Sequence, residues 1–415
     1  MAVVIGLGFV LGRSLRWIGQ PPVIGEVLAG IVLGPSLLGA IWPAGMDFLV
    51  PGRLTDPEGR VASAVQGVAS LGLVLYMFLI GLELNGARLR RQVQSVVAIS
   101  HSSIVLPFIL GAILALWIYP LVSDPMVSFT GFAMFLGAAM SITAFPILAR
   151  ILTDRRLEKT ELGEIALGCA AADDVTAWCL LALVVGVVRS QVASAAWTLV
   201  LTMAFIAVMF LIVKPNLARW IRRWEDRPGS LPVSVVSLTF VGLLVSALVT
   251  HSIGIHAVFG AFLLGAIVPS DSRLARDMNA TLRDPVIFLL LPAFFASTGL
   301  RTELGLVSGW ENILVTCAIV IVAIAGKFLG ATLACRATGG SWGLSASLGV
   351  LMNTRGLMEL IVLHIGLDLG IIGPKLFAMM VIMAIVTTLM TSPLLGIIVR
   401  SFPDEPAFRR DFAES

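Results

Sequence analysis

The sequence predicts an all-α polytopic membrane protein with about thirteen transmembrane helices, built as two inverted-topology six-helix repeats with broken crossing helices. Three observations predict this class: an apolar composition, a series of apolar runs, and basic residues gathered in every second loop. The chain has 415 residues, of which 58% are hydrophobic and 13% charged, and its mean hydropathy is +0.99. So large an apolar share indicates many membrane spans rather than a soluble core. The net charge of +3 gives no sign of a nucleic-acid partner.

Thirteen apolar runs, here called segments 1 to 13, are bounded by charged residues or by clusters of Pro and Gly. They reach or approach the ~20 residues that a helix needs to cross a bilayer. An odd number of crossings places the two ends of the chain on opposite sides of the membrane. The runs cover residues 2–17, 23–41, 61–82, 93–119, 128–149, 163–187, 195–213, 233–250, 254–269, 284–300, 311–334, 342–367 and 374–399.

Lysine and arginine are distributed unevenly between the loops. Loops on one side carry 21 of the 28 basic residues, and loops on the other side carry five. Because basic loops remain in the cytoplasm, we expect a multi-pass cell-membrane protein with its N-terminus outside and its C-terminus in the cytoplasm. Lys327 and Arg355 belong to neither set of loops, since both lie inside apolar segments. Both are therefore candidate site residues.

Segments that lie seven places apart share short motifs. Segments 3 and 10 end in Gly-Leu followed by a charged residue, at 81–83 and 299–301, and segments 5 and 12 contain Gly-x-x-Met at 137–140 and 349–352. An odd offset reverses the orientation of a helix. We therefore expect segments 1–6 and 8–13 to form inverted repeats, with segment 7 as a linker.

Segment 5 carries the stretch Ser-Ile-Thr-Ala-Phe-Pro at 141–146. Pro146 has no backbone N–H, so the carbonyls one turn earlier can be freed, with the hydroxyls of Ser141 and Thr143 beside them. An isolated membrane proline often marks a simple kink. Segment 12, however, has its own break, Asn353-Thr-Arg-Gly356, at the matching position. Paired breaks favour a substrate site near the bilayer midplane, faced by the dipoles of half-helices.

Two adjacent aspartates, Asp173 and Asp174, lie in the middle of segment 6. An ionised carboxylate in hydrocarbon costs at least ~2.5 kcal/mol and persists only with a partner, a proton or an ion. The two side chains point ~100° apart on a helix, so one can pair with Lys327 while the other takes a cation or a proton. The alternative is a structural ion pair beside a second, satisfied carboxylate. Since intramembrane ionisable residues are functional by default, we expect a proton and a cation to compete for one site.

Arg355 and Glu359 are four residues apart and share one face of segment 12. An internal ion pair that supports the broken helix and a direct role in transport are both compatible with this spacing. Pro146 and Asn353 complete the expected support of the two breaks. Phosphate-binding loops are not recognisable in the sequence, so neither a nucleotide nor another cofactor is expected.

Six stretches together resemble the second branch of the monovalent cation:proton antiporter superfamily. This branch contains bacterial sodium/proton antiporters, potassium efflux systems and plant cation/proton exchangers. The resemblance extends over nearly the whole chain, and as a set its motifs are specific. The stretches are residues 25–35, 78–83, 141–150, 172–175, 254–262 and 353–360.

The resemblance implies a homodimer in which a core domain moves like an elevator against a dimerisation domain. It assigns the monovalent cation and the proton to Asp174, and it pairs Asp173 with Lys327. The hydroxyls of Ser141 and Thr143 complete the expected cation- and proton-binding set. The first aspartate departs from the plant-like members, which usually have asparagine there, whereas members with two aspartates and this lysine are generally electrogenic.

The implied division of the chain follows the repeats. The scaffold helices of the first repeat occupy 1–92 and its core helices 93–190, a linker helix occupies 191–230, the scaffold and core helices of the second repeat occupy 231–310 and 311–400, and a short cytoplasmic tail occupies 401–415.

The expected function is that of a secondary antiporter, which exchanges a monovalent cation for H⁺ by alternating access. Na⁺ is the first choice of cation, and K⁺ or Li⁺ are possible. The second alternative is a K⁺/H⁺ antiporter or potassium efflux-type member of the same superfamily. An intramembrane aspartyl protease is a remote alternative, because two adjacent side chains ~100° apart cannot meet on one scissile bond. The chain is therefore not expected to be an enzyme.

Overall fold

A computed structural model shows a chain whose regular elements are helices. The structure describes residues 2–17, 20, 22–49, 60–83, 93–158, 160–188, 192–225, 232–254, 257–294, 302 and 304–408. The helices of the first half are α1 (Ala2–Arg16), α2 (Pro22–Leu33), α3 (Leu38–Ile41), α4 (Pro43–Leu49), α5 (Arg60–Glu83), α6 (Val93–Val122), α7 (Phe129–Ser141), α8 (Phe145–Asp154), α9 (Glu161–Val188), α10 (Val192–Val208) and α11 (Lys214–Glu225). Those of the second half are α12 (Val233–Ile253), α13 (Ala257–Ile267), α14 (Arg273–Pro285), α15 (Trp310–Ala337), α16 (Trp342–Met352), α17 (Leu357–Asp368) and α18 (Pro374–Ser401).

Seven helical stretches in the described part of the chain are long and apolar enough to cross a membrane. Shorter apolar helices, among them α7, α13 and α16, lie between them. The predicted class, an all-helical polytopic membrane protein, therefore agrees with the structure. The count of thirteen crossings and the inverted repeats remain predictions, since the second half of one echo, at 299–301, lies outside the described residues. The seven stretches are Ile24–Ile41, Gln94–Val122, Glu161–Val188, Val200–Glu225, Val233–Ile253, Trp310–Ala337 and Pro374–Ser401.

Both predicted breaks are present, and they touch. Segment 5 divides into α7 and α8, and segment 12 divides into α16 and α17, each with a few non-helical residues between the halves. The backbone N–H of Ala144 in the first break donates to the carbonyl of Thr354 in the second, at 2.9 Å. A Cβ atom at Gly356 would come within 2.2 Å of Ile147 Cδ1, so a larger residue here would require the Ile147 side chain to move. Four half-helices thus meet at one point.

The helix of segment 7 (195–213) continues beyond the end of the apolar run. α10, a π-helical turn (Met209–Val213) and α11 follow one another without a loop. The wider turn precedes Pro215, and the N–H of Lys214 bonds to the carbonyl of Met209, five residues back. A π-turn accommodates a proline that would clash with a regular helix.

The long helices α6 and α15 pack closely along each other, and this contact sets the position of the site. A Cβ atom at Gly330 would lie 2.6 Å from the carbonyl oxygen of Ser102, and one at Gly326 would lie 2.7 Å from the Cα of Pro107. Two glycines on one face therefore let the backbones approach. Lys327 follows Gly326 directly, so its side chain begins inside the helical packing, where it is fully buried.

Candidate functional site

The two aspartates lie at the centre of α9, and both side chains are fully buried. α9 packs against α6, against both halves of the first broken helix, α7 and α8, and against α16 of the second. Asp173 and Asp174 are adjacent but point in different directions, as expected for successive residues of a helix. Their surroundings consequently differ.

Asp173 accepts hydrogen bonds from three hydroxyl groups and one ammonium group. Ser100 Oγ lies 2.6 Å from Oδ1, while Ser103 Oγ and Thr143 Oγ1 lie 3.1 and 2.7 Å from Oδ2. Lys327 Nζ is 3.1 Å from the same Oδ2 and 2.6 Å from Thr143 Oγ1. The predicted contact between Lys327 and one aspartate is present, and that aspartate is Asp173.

Asp174 has a contrasting environment. Neither of its carboxylate oxygens has a hydrogen-bond partner among the described residues, although the side chain is completely buried. A buried carboxylate without donors is costly as a bare anion. It is therefore suited to hold a proton or a cation whenever water cannot reach it.

Arg355 directs its guanidinium group at the carboxyl end of α7. Nη1 donates to the carbonyl of Ala139 at 3.1 Å and Nη2 to that of Met140 at 2.6 Å, and the carbonyl of Ile142 lies 3.5 Å from Nη1. A half-helix leaves its last carbonyls without regular helical partners and ends in a partial negative charge, which the cation offsets. Glu359 Oε2 lies 3.3 Å from Nη1, so the predicted i,i+4 contact is present.

The remaining predicted residues lie near the breaks, and those whose side chains the structure describes make no hydrogen bond to either aspartate. The hydroxyl of Ser141 faces backbone carbonyls of α6 and α7, at 2.9 and 2.7 Å. The amide nitrogen of Asn353 lies 3.8 Å from the sulfur of Met390. Pro146 is the second residue of α8, where the first turn tolerates a missing N–H; its side chain lies outside the described atoms.

Three residues of the site lie outside the set predicted from the sequence. Ser100 and Ser103 bind Asp173, and Thr388 Oγ1 accepts from the backbone N–H of Arg355 at 3.0 Å and donates to its carbonyl at 2.6 Å. Ser100 and Ser103 are three residues apart and therefore share one face of α6. No feature of the sequence indicated that this face packs against α9.

The buried charges leave one negative charge without a protein partner. Among the described side chains, those that are both charged and buried are three carboxylates, Asp173, Asp174 and Glu359, and two cations, Lys327 and Arg355. Two of the carboxylates are paired. A single monovalent cation or a single proton at Asp174 would balance the set. In the same part of the chain, His, Cys, Asp and Glu do not cluster as a multivalent metal site requires.

Comparison with known proteins gives a consistent result. The family described as "Sodium/hydrogen exchanger, transmembrane" matches residues 2–400. The chain is 42% identical over 403 residues to "Na(+)/H(+) antiporter NhaS4" of Synechocystis, covering 97% of this chain and 96% of that protein. It is 36% identical over 407 residues to "Cation/H(+) antiporter 20" of Arabidopsis thaliana, covering 94% of this chain but 47% of that protein. The chain thus spans nearly all of the first relative and about half of the second.

A solved structure has a similar fold. MjNhaP1, described as a sodium proton antiporter from Methanocaldococcus jannaschii, superposes with a TM-score of 0.67 over 99% of this chain and 97% of its own. The sequences are only 14% identical. The likeness therefore concerns the path of the backbone and not the side chains of the site.

Proposed function

The chain belongs to the transmembrane sodium/hydrogen exchanger family, and from that premise we propose that it exchanges a monovalent cation for H⁺ across a membrane. The cation and the proton compete for Asp174 and bind there in turn. Asp173 is the fixed partner of Lys327, and Thr143 joins these two side chains. No covalent step is needed, because the work of such an antiporter is alternating access to one site.

The unpaired carboxylate of Asp174 is the observation that carries this proposal. Every other buried charge among the described side chains has a partner of opposite sign, and of the three buried carboxylates only Asp174 lacks a hydrogen-bond partner on both oxygens. A multivalent ion would overcompensate a single negative charge, and an anion would be repelled. The charge of the site therefore favours H⁺ or a monovalent cation and makes the two mutually exclusive.

The crossing of the two breaks supports alternating access. The half-helix ends at 142–144 and 353–356 bring the dipoles of four half-helices together, a feature typical of transporters with a central site near the bilayer midplane. We place residues 93–190 and 311–400 in a core domain that carries the site, and residues 1–92 and 231–310 in a scaffold against which it moves like an elevator. The linker is residues 191–230.

We extend the proposal to topology and assembly. Thirteen crossings arranged as inverted repeats place the N-terminus outside and the C-terminus, including the tail 401–415, in the cytoplasm, in agreement with the distribution of basic loops. Two copies assemble through the scaffold domains. Residues 409–415 of the tail lie outside the described residues.

Na⁺ is the proposed cation. The relative that the chain covers almost completely is named as a Na⁺/H⁺ antiporter, whereas the plant relative is named only for cations. K⁺ and Li⁺ carry the same charge and fit the same electrostatic argument, so the choice among them depends on the size of the site. A direct comparison of the three ions decides it.

The test uses the purified protein in proteoliposomes that contain a pH-sensitive dye. An imposed pH gradient is followed by addition of Na⁺, K⁺ or Li⁺, each alone, with the membrane potential either clamped or free. The wild type is expected to move protons on addition of Na⁺. Asp174→Asn, which removes the charge and keeps the shape, is expected to abolish this movement.

Asp124→Asn is the matched control, because Asp124 is exposed in the loop between α6 and α7. It makes the same chemical change and is expected to leave exchange intact. Exchange retained by a well-folded Asp174→Asn protein would contradict the assignment of the site. Exchange with K⁺ but not Na⁺ would retain the antiport mechanism and reassign the cation.

A further inference from the structure

The carboxylate of Asp173 is held on both of its oxygens, and the two sides differ. Thr143, Ser103 and Lys327 all approach Oδ2. Oδ1 is bound by Ser100 at 2.6 Å. Ser100 is therefore the group that fixes the rotation of the carboxylate, since the Oδ2 donors alone leave the position of Oδ1 undetermined.

The two serines differ in how firmly they bind. Ser103 Oγ lies 3.1 Å from Asp173 Oδ2 but 2.9 Å from the carbonyl of Ser100, and its single hydrogen can serve only one acceptor at a time. Ser100 makes the shorter contact, at 2.6 Å, and is consequently the principal donor from α6. Ser103, whose hydrogen is divided between two acceptors, is an auxiliary one.

The ammonium group of Lys327 also has two acceptors. It lies nearer to Thr143 Oγ1, at 2.6 Å, than to Asp173 Oδ2, at 3.1 Å. The hydrogen bond from Ser100 on α6 to Asp173 involves neither Lys327 nor Thr143. The Asp173 anion thus has a donor that is independent of the ammonium group.

We propose that Ser100, assisted by Ser103, is a positioning pair that turns Asp173 away from the transported cation and so leaves Asp174 as its only carboxylate ligand. The inference rests on the proposed function and deepens it. Asp173 and Asp174 are chemically identical and adjacent in the chain. Their division into an anchored anion and an exchangeable one requires a local difference, and the hydroxyls of α6 supply it.

Removal of the Ser100 hydroxyl has a specific expected consequence. Oδ1 of Asp173 then lacks a donor, and it can turn toward a cation bound at the neighbouring carboxylate. Two carboxylates hold a cation more tightly than one. For Ser100→Ala we expect the half-saturating Na⁺ concentration to fall by about tenfold, the effect of one charge-assisted hydrogen bond, and the maximal rate to fall because release slows.

The variants are compared in the same proteoliposomes, with half-saturation and maximal rate measured separately. Ser100→Thr keeps the hydroxyl and is expected to restore near wild-type values of both. Ser100→Cys keeps the volume but offers only a weak donor, and it replaces Ser100→Ala if that protein does not fold. Ser102→Ala, a change of the same size two positions further along α6, is the matched control and is expected to have no effect on either quantity.

The possible outcomes separate this inference from the proposed function. If the wild type shows no cation-driven proton movement, the proposed function fails and this inference fails with it. If the wild type exchanges ions but Ser100→Ala and Ser100→Cys keep its half-saturation, the positioning pair is refuted and the antiporter assignment stands. A loss of rate at constant half-saturation, shared with Ser102→Ala, would also refute it, because that pattern indicates general damage to α6.

Discussion

Gln20 donates a hydrogen bond from its side-chain amide to the backbone carbonyl of Leu389, with Nε2 and O separated by 2.9 Å. The two residues are 369 positions apart. Gln20 follows α1 and precedes α2 in the chain, and its side chain is buried. Pro393 lies four residues after Leu389 inside α18 and has no N–H to offer this carbonyl. The amide of Gln20 therefore takes the place of a missing helical hydrogen bond.

The first prediction is that this contact matters only because of Pro393. Gln20→Ala should lower the free energy of unfolding by about 1–2 kcal/mol, because it leaves a buried carbonyl unpaired. In a Pro393→Ala background the helix can supply its own N–H, so the same change at Gln20 should cost much less. Thermal unfolding of the four purified proteins in one detergent measures the difference. Equal costs in both backgrounds would contradict the proposed compensation.

The second prediction concerns Arg355 and the geometry of its guanidinium group. Arg355→Lys preserves the charge but provides one compact ammonium group, which cannot reach the carbonyls of Ala139, Met140 and Ile142 together. At least one of these buried carbonyls loses its donor, at a cost of about 1–3 kcal/mol. We expect lower thermal stability and slower exchange, since the first break is no longer capped.

Arg400→Lys is the matched control for this change. Arg400 is exposed at the end of α18, so the same replacement should alter neither stability nor exchange. A fully active and stable Arg355→Lys protein would indicate that charge alone supports the break. In that case the dipole of α7 would be the dominant partner, rather than its individual carbonyls.

Much of the site can be predicted from single residues that are energetically unfavourable in the apolar helical segments where they occur. Lys327 and Arg355 lie in apolar segments, where a charge requires a partner, and each has one in the structure. Pro146 and Gly356 mark the two breaks because neither residue suits a continuous helix. These features are local, and local rules suffice to find them.

The hydroxyl groups of the site could not be assigned in the same way. A serine or threonine in a membrane helix can bond to the carbonyl of its own preceding turn, as Ser141 does with α7, or to another helix, as Ser100 does with Asp173. The choice depends on which helix packs alongside. Ser100 and Asp173 are 73 residues apart, and their contact is set by the packing of α6 on α9, which no short sequence pattern encodes.

The last prediction separates the two aspartates by the sign of their effect on stability. Asp173 and Lys327 form a buried ion pair, and removal of one partner from such a pair typically costs about 3–5 kcal/mol because the other charge is left uncompensated. Both Asp173→Asn and Lys327→Gln should therefore lower the unfolding temperature and the exchange rate. The hydroxyls that also bind Asp173 should place Lys327→Gln at the lower end of that range.

Asp174 behaves differently in this comparison, because it has no hydrogen-bond partner to lose among the described residues. Asp174→Asn removes an unpaired buried carboxylate and should leave the unfolding temperature unchanged or raise it, while it abolishes exchange. The double variant Asp173→Asn/Lys327→Gln removes both members of the pair, so it should regain most of the stability that either single variant loses. Thermal unfolding at low Na⁺ compares the wild type with the four variants, each free of bound cation. If Asp174→Asn were as destabilised as Asp173→Asn, the second carboxylate would be a structural partner as well, because its removal could lower stability only by breaking a contact.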